Sequence, residues 1–139
     1  MGPGRLADEL KAFIAAQKHF RFVWGSNDCA MFMADWVEQL DGVDPAAEWR
    51  FSYLDAKGAL RCMDANGGLA KMAARTGWEP VDSARLGDFA LIEPGPNSHR
   101  QLQRFAVAGD GTWILRAPQG LLIDRRENWH MIRSWRRPV

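Results

Sequence analysis

Cys29 directly follows Asp28 and opens the apolar series Phe32, Met33, Trp36, Val37 and Leu40, so the stretch Trp24–Asp41 reads as a helix with a cysteine in its first turn. At that place unpaired backbone amides carry partial positive charge, which favours thiolate over thiol. The residue's own N–H is free there to help bind an oxyanion. These are requirements of a cysteine nucleophile, and they are complete only when a base stands within hydrogen-bond reach. Cys29 also lies in line with Phe32, Met33 and Trp36, the placement of a small buried core residue. Three histidines are available as the base. His19 falls at the end of the first helix, where a histidine caps free carbonyls. His130 sits beside the last strand, in a position suited to a structural hydrogen bond. His99 lies in a polar loop and is the one that could swing towards Cys29, if that loop folds over. Asn27 and Asp28 are capping residue types, and Asp88 follows a glycine whose turn it can pin. Cys62 reads as core, and whether it pairs with Cys29 is a question of geometry.

The elements that must position these residues fall into two unlike halves. In Arg5–Gln17, Leu6, Leu10, Phe13 and Ile14 form one helical stripe. Gly42 ends the cysteine-led helix, and Asp44-Pro45 is a cap followed by a proline, the start of another. Tyr53–Asn66 and Leu69–Thr76 read as two short helices broken at Gly67-Gly68. After Trp78 the pattern changes to short apolar runs: Phe89–Ile92, Phe105–Ala108, Trp113–Leu115, Leu121–Ile123 and Met131–Trp135. Gly109-Asp110-Gly111 is a hairpin signal. The loop Glu93–Arg104 is polar, proline-broken and expected to be mobile. Helices first and an antiparallel sheet second make a single α+β domain over residues 1–139.

Composition bounds the partners. Of 139 residues 47% are hydrophobic and 25% charged, ordinary for a globular chain, and a net charge of +1 argues against nucleic-acid binding by bulk electrostatics. Arg125, Arg126, Arg133, Arg136 and Arg137 crowd the C-terminus, the pattern of a solvated face. The N-terminus lacks the apolar core of an export signal, and no run approaches the roughly 20 apolar residues of a membrane span. The expectation is synthesis in a cytoplasm with free thiols. Two cysteines without CxxC spacing give no zinc site, and no Gly-rich phosphate loop, HExxH or GxSxG is present, so no metal or cofactor is expected. Seven tryptophans and seven phenylalanines are a surplus, of which one or two are expected to be exposed for packing against a partner.

Trp24-Gly25-Ser26-Asn27-Asp28-Cys29, followed by Phe32, Ala34 and Asp35, resembles the cysteine motif of NlpC/P60-type, papain-like domains. It resembles more closely a family of phage and prophage proteins related to NlpC/P60 and encoded among tail genes. The matching features continue through Asp44-Pro45-Ala46-Ala47, Arg50, Tyr53, Gly58-Ala59, Gly67-Gly68-Leu69, Leu86-Gly87-Asp88, Gly120-Leu121 and Trp135-Arg136. The resemblance implies a papain-like fold and a place in the distal tail, at the tip or baseplate of a virion, among other tail proteins. It also implies a defect. Active NlpC/P60 domains carry a histidine opposite the cysteine, at the start of the strand that follows the Gly-Asp turn and its first strand. Here that position holds Arg104. Arginine stays protonated and cannot serve as general base and then acid.

Two functions from different classes are therefore expected in turn. The first is a structural tail component on a degenerate NlpC/P60-like scaffold, with Cys29 vestigial. The second is an active cysteine amidase or peptidase cleaving host peptidoglycan during DNA entry, with Cys29 as nucleophile and His99 as base. A tail-assembly factor absent from the virion is a third form of the first.

Overall fold

The computed structural model describes residues 3–139. Four helices precede a six-stranded sheet: α1 (Pro3–Gln17), α2 (Cys29–Asp41), α3 (Ala56–Ala65), α4 (Leu69–Ala73), then β1 (Glu79–Val81), β2 (Phe89–Glu93), β3 (Arg104–Ala108), β4 (Thr112–Ala117), β5 (Gly120–Arg125) and β6 (His130–Arg136). Every strand pair is antiparallel, in the order β1-β6-β2-β3-β4-β5. The α+β architecture read from the sequence is present. Among these residues no helix is long and apolar enough to cross a membrane.

The central strands are apolar on both faces, which is why they read as continuous runs and not as alternations. Phe89, Leu91, Phe105 and Val107 point towards the helices and join Phe13, Phe32, Trp36 and Trp135 in the main core. Their neighbours Ala90, Ile92, Ala106 and Ala108 face the other way, against Trp113 and Leu115. Aromatic contacts bind the main core together, with Phe89 stacked on Trp135 at 5.0 Å and Phe13 tilted on Trp36 at 5.2 Å. Trp36 also donates its indole N–H to the Gly87 carbonyl at 2.8 Å, tying α2 to the turn before β2.

Several sequence expectations need correction. The cysteine-led helix does not begin at Trp24: residues 24–28 form a turn, closed by the Val23–Asn27 bridge, and the helix starts at Cys29. Asp44 caps the Ala46 amide, but the turns that follow through residue 51 do not become a helix: the Ala47, Trp49 and Ser52 amides bond three residues back, and Phe51 is left-handed at φ 61°. The helix expected over Tyr53–Asn66 is shorter, Ala56–Ala65, since Asp55 caps it by accepting from the Gly58 amide at 2.7 Å. Strand β1 went unread: Glu79-Pro80-Val81 is short and contains proline, which a sheet tolerates at its edge. The C-terminal arginines are not merely solvated. Arg136 pairs with Asp88 at 2.9 Å, Arg137 with Asp41 at 2.6 Å, and Arg126 caps the Ala84 and Thr112 carbonyls. The aromatic surplus, by contrast, divides as expected: Trp36, Trp49, Trp78, Trp113 and Trp135 are buried, and two aromatics, Phe20 and Phe51, are exposed.

Candidate functional site

The head of α2 is built by residues that explain one another. Asp28 is the N-cap, 2 % exposed, and its Oδ1 accepts from the Met31 amide at 2.9 Å. Its Oδ2 accepts from the Gly25 amide at 3.0 Å and from the Tyr53 hydroxyl at 2.5 Å. Gly25 has φ +84°, and a Cβ there would stand 2.3 Å from the Tyr53 carbonyl oxygen, so only glycine fits. Burial and the Asp28 charge both push the Tyr53 hydroxyl far above its ordinary range, so it acts purely as a donor. Two turns along α2 from Asp28, Asp35 accepts from Arg50 at 2.6 Å, and Arg50 reaches Asp44 at 2.5 Å. Burial raises the Asp35 pKa, with Arg50 pulling the other way. For Asp44 burial also opposes ionisation, but the Arg50 and Ala46 hydrogen bonds prevail and lower it. Gly25, Asp28, Asp35, Asp44, Arg50 and Tyr53 thus form the platform that sets the position of Cys29, and none of them supplies a base to it.

Cys29 is half-buried and faces the start of β3, where the Phe105 backbone N–H is directed at its sulfur. Its thiol is pushed up to about 11, first by burial and then by the adjacent Asp28 carboxylate; the Phe105 amide, the Arg104 charge and the Ala30 amide offset only part of this. The thiolate-favouring effect expected of a helix N-terminus is therefore overturned. Burial of the thiol is the first cause, and the cap adds to it, because Asp28 takes up helix-end amides and places a negative charge beside the sulfur.

Cys29 and Arg104 line the same cavity, of about 490 Å³, between α2, α3, α4 and the turn before β3. The Arg104 guanidinium curls back to donate to the Gln101 and Gln103 carbonyls, at 2.5 and 2.9 Å. None of the three histidines lines this cavity. His99 is exposed and caps a short 3-10 turn, Arg100–Leu102, its Nδ1 accepting from the Gln101 amide at 3.1 Å, so it does not meet Cys29. The loop that carries it is pinned: the Ser98 amide donates to the buried Glu93 carboxylate at 3.1 Å. His130 lies 2.8 Å from Glu93 across the β2–β6 pair. His19 is exposed beyond α1, and the carbonyls of Gln17 and Phe20, on either side of it, are taken by the buried Arg116 of β4. Asp88 pins its turn as expected, accepting from the Arg85 amide at 2.8 Å. Cys29 and Cys62 are both free thiols on the cavity wall. Among the described residues no group of three or more His, Cys, Asp or Glu is placed to hold a metal ion.

Sequence reasoning missed the cavity and the Tyr53–Asp28 bond. Tyr53 and Arg50 stood in the motif without a role, and their partners on and before α2 lie 25 and 15 residues back in the chain, at Asp28 and Asp35.

Fold and site together define a class: an α+β domain in which a capped, cysteine-led helix lies against a six-stranded antiparallel sheet and borders an apolar cavity. The chain belongs to the family described as Domain of unknown function (DUF6950), whose profile matches residues 4–137. Comparison with curated proteins finds no match.

Proposed function

We propose that the protein is a non-catalytic component of a phage tail tip or baseplate, built on a degenerate papain-like, NlpC/P60-type scaffold. The observation that carries the non-catalytic half is the pairing across the site: the residue opposite the Cys29 thiol is Arg104, a group that cannot accept a proton. A thiol held protonated to about pH 11, with no histidine on the cavity wall, lacks the machinery of a cysteine hydrolase. The tail placement rests on the ordered motif series from Trp24 to Arg136, and its partners are other tail proteins of the virion, assembled after synthesis in the host cytoplasm.

A second reading, an active amidase or peptidase on host peptidoglycan, draws on one feature: the Phe105 and Ala30 backbone amides both act on the Cys29 sulfur and favour its thiolate. Two measurements separate the readings. Mass spectrometry of purified particles is expected to find the chain in stoichiometric amount, and its absence points to an assembly factor. A thiol-reactive amide probe is expected to leave Cys29 of the wild-type protein unlabelled at neutral pH, as in Cys29→Ala. Selective labelling of Cys29 establishes the enzyme instead.

A further inference from the structure

Helix α3 is amphipathic, yet none of its ten residues is buried. Ala59, Leu60, Cys62 and Met63 turn towards α2 and line the cavity of about 490 Å³ without filling it. That volume lies within the range of roughly 300–1,000 Å³ typical of small-molecule pockets. Four of the chain's six methionines, Met31, Met33, Met63 and Met72, are on its wall with Leu69 and Phe105. Methionine is unbranched and polarisable and adapts to an irregular or flexible apolar guest. Charge in the lining is one-sided. Asp28 is consumed by Gly25, Met31 and Tyr53, and Arg100 is paired with Asp64 of α3. Arg116 donates to the Phe20 and Gln17 carbonyls and to the Gln17 side chain. The exposed Lys57 and the half-buried Arg104 remain, and of the Arg104 guanidinium only Nη1 is engaged, by two carbonyls.

From these observations the geometry points to a binding site for a long-chain carboxylate, its aliphatic chain among the methionines and its carboxylate at Arg104. A flexible chain suits the methionine wall, and the surplus positive charge selects an acidic head. The inference goes beyond the tail reading and does not depend on it.

The test uses the purified full-length chain with methionine methyl groups labelled for NMR. Titration with laurate is expected to saturate and to shift the signals of Met31, Met33, Met63 and Met72, leaving Met131, on β6 outside the cavity, unmoved. Arg104→Gln is expected to weaken laurate about tenfold, the effect of losing one charge-assisted contact, and to leave dodecanol unchanged. Leu60→Trp, on the half-exposed face of α3, is expected to abolish the shifts by filling the space. No saturable shift with laurate overturns the proposal. So does dodecanol binding as tightly as laurate, or an extended apolar peptide moving the same four signals where laurate does not. Whether the chain is found in virions has no bearing on any of these outcomes.

Discussion

On the side of α2 that faces the sheet, Phe32 and Trp36 are fully buried against Phe89, Phe105 and Trp135. On the side that faces α3, Met31 and Ala34 pack on Trp49 and Tyr53, and beyond them lies open volume under a helix with no buried residue. One helix thus borders a close-packed aromatic core and an unfilled apolar cavity, and its head carries the half-buried thiol that faces the cavity. The sheet side orders the fold, and the α3 side has the loose packing that ligand or partner sites are drawn from.

The sharpest way to break that comparison is to truncate one residue on each side. Trp36→Ala removes a fully buried indole and leaves the Gly87 carbonyl unpaired, so a loss of about 3–5 kcal/mol is expected. Leu60→Ala on α3 removes a half-exposed side chain from the cavity wall, and a loss below about 1 kcal/mol is expected. Urea denaturation measures both, provided the slope with denaturant stays unchanged. Equal losses would mean that α3 is packed as tightly as the sheet side.

The platform under Cys29 lies between these extremes. Tyr53→Phe keeps the ring and deletes the hydroxyl that donates to the buried Asp28 carboxylate, which retains the Gly25 and Met31 amides. A loss of about 1–3 kcal/mol is expected, the range for leaving one buried polar group short of a partner. A change within about 0.5 kcal/mol, the scatter of surface substitutions, would show that the two amides alone hold Asp28.

Strands β2, β3 and β4 were legible because both-face burial writes them as unbroken apolar runs, and α2 because its stripe and Gly42 agree; the Gly42 amide indeed closes on the Glu38 carbonyl at 2.8 Å. Its cap was legible too, since Asn27 and Asp28 are capping types and Asp28 is the cap. The contact that excludes a side chain at Gly25 was not, because Tyr53 comes to it from a distant part of the chain. The cavity was hidden for a different reason: Ala59, Cys62 and Met63 have the spacing of a core stripe, and a stripe does not reveal whether its partner surface arrives. The position of Arg104 opposite Cys29 was legible, but the state of the thiol was not. A residue that caps a helix with a carboxylate reverses the electrostatic argument that the helix end alone supports.

That reversal makes the last and smallest prediction. In a Cys62→Ala background, the rate of Cys29 alkylation is expected to rise with pH to a midpoint near 11, where an ordinary cysteine titrates near about 8.5. Because the folded-state value is raised, its contribution to stability is fully present below the unfolded-state value and is lost as pH climbs towards 11. Arg104→Gln removes a cation that lowers the thiol pKa, so the midpoint moves further up. The displacement is smaller than the one burial and Asp28 already impose, since these are the larger causes. A midpoint at or below the ordinary value would place an activated thiolate in the cavity. The loose side of α2 would then hold a working nucleophile, and the comparison between a stabilising face and a non-catalytic one would fail at its most specific point.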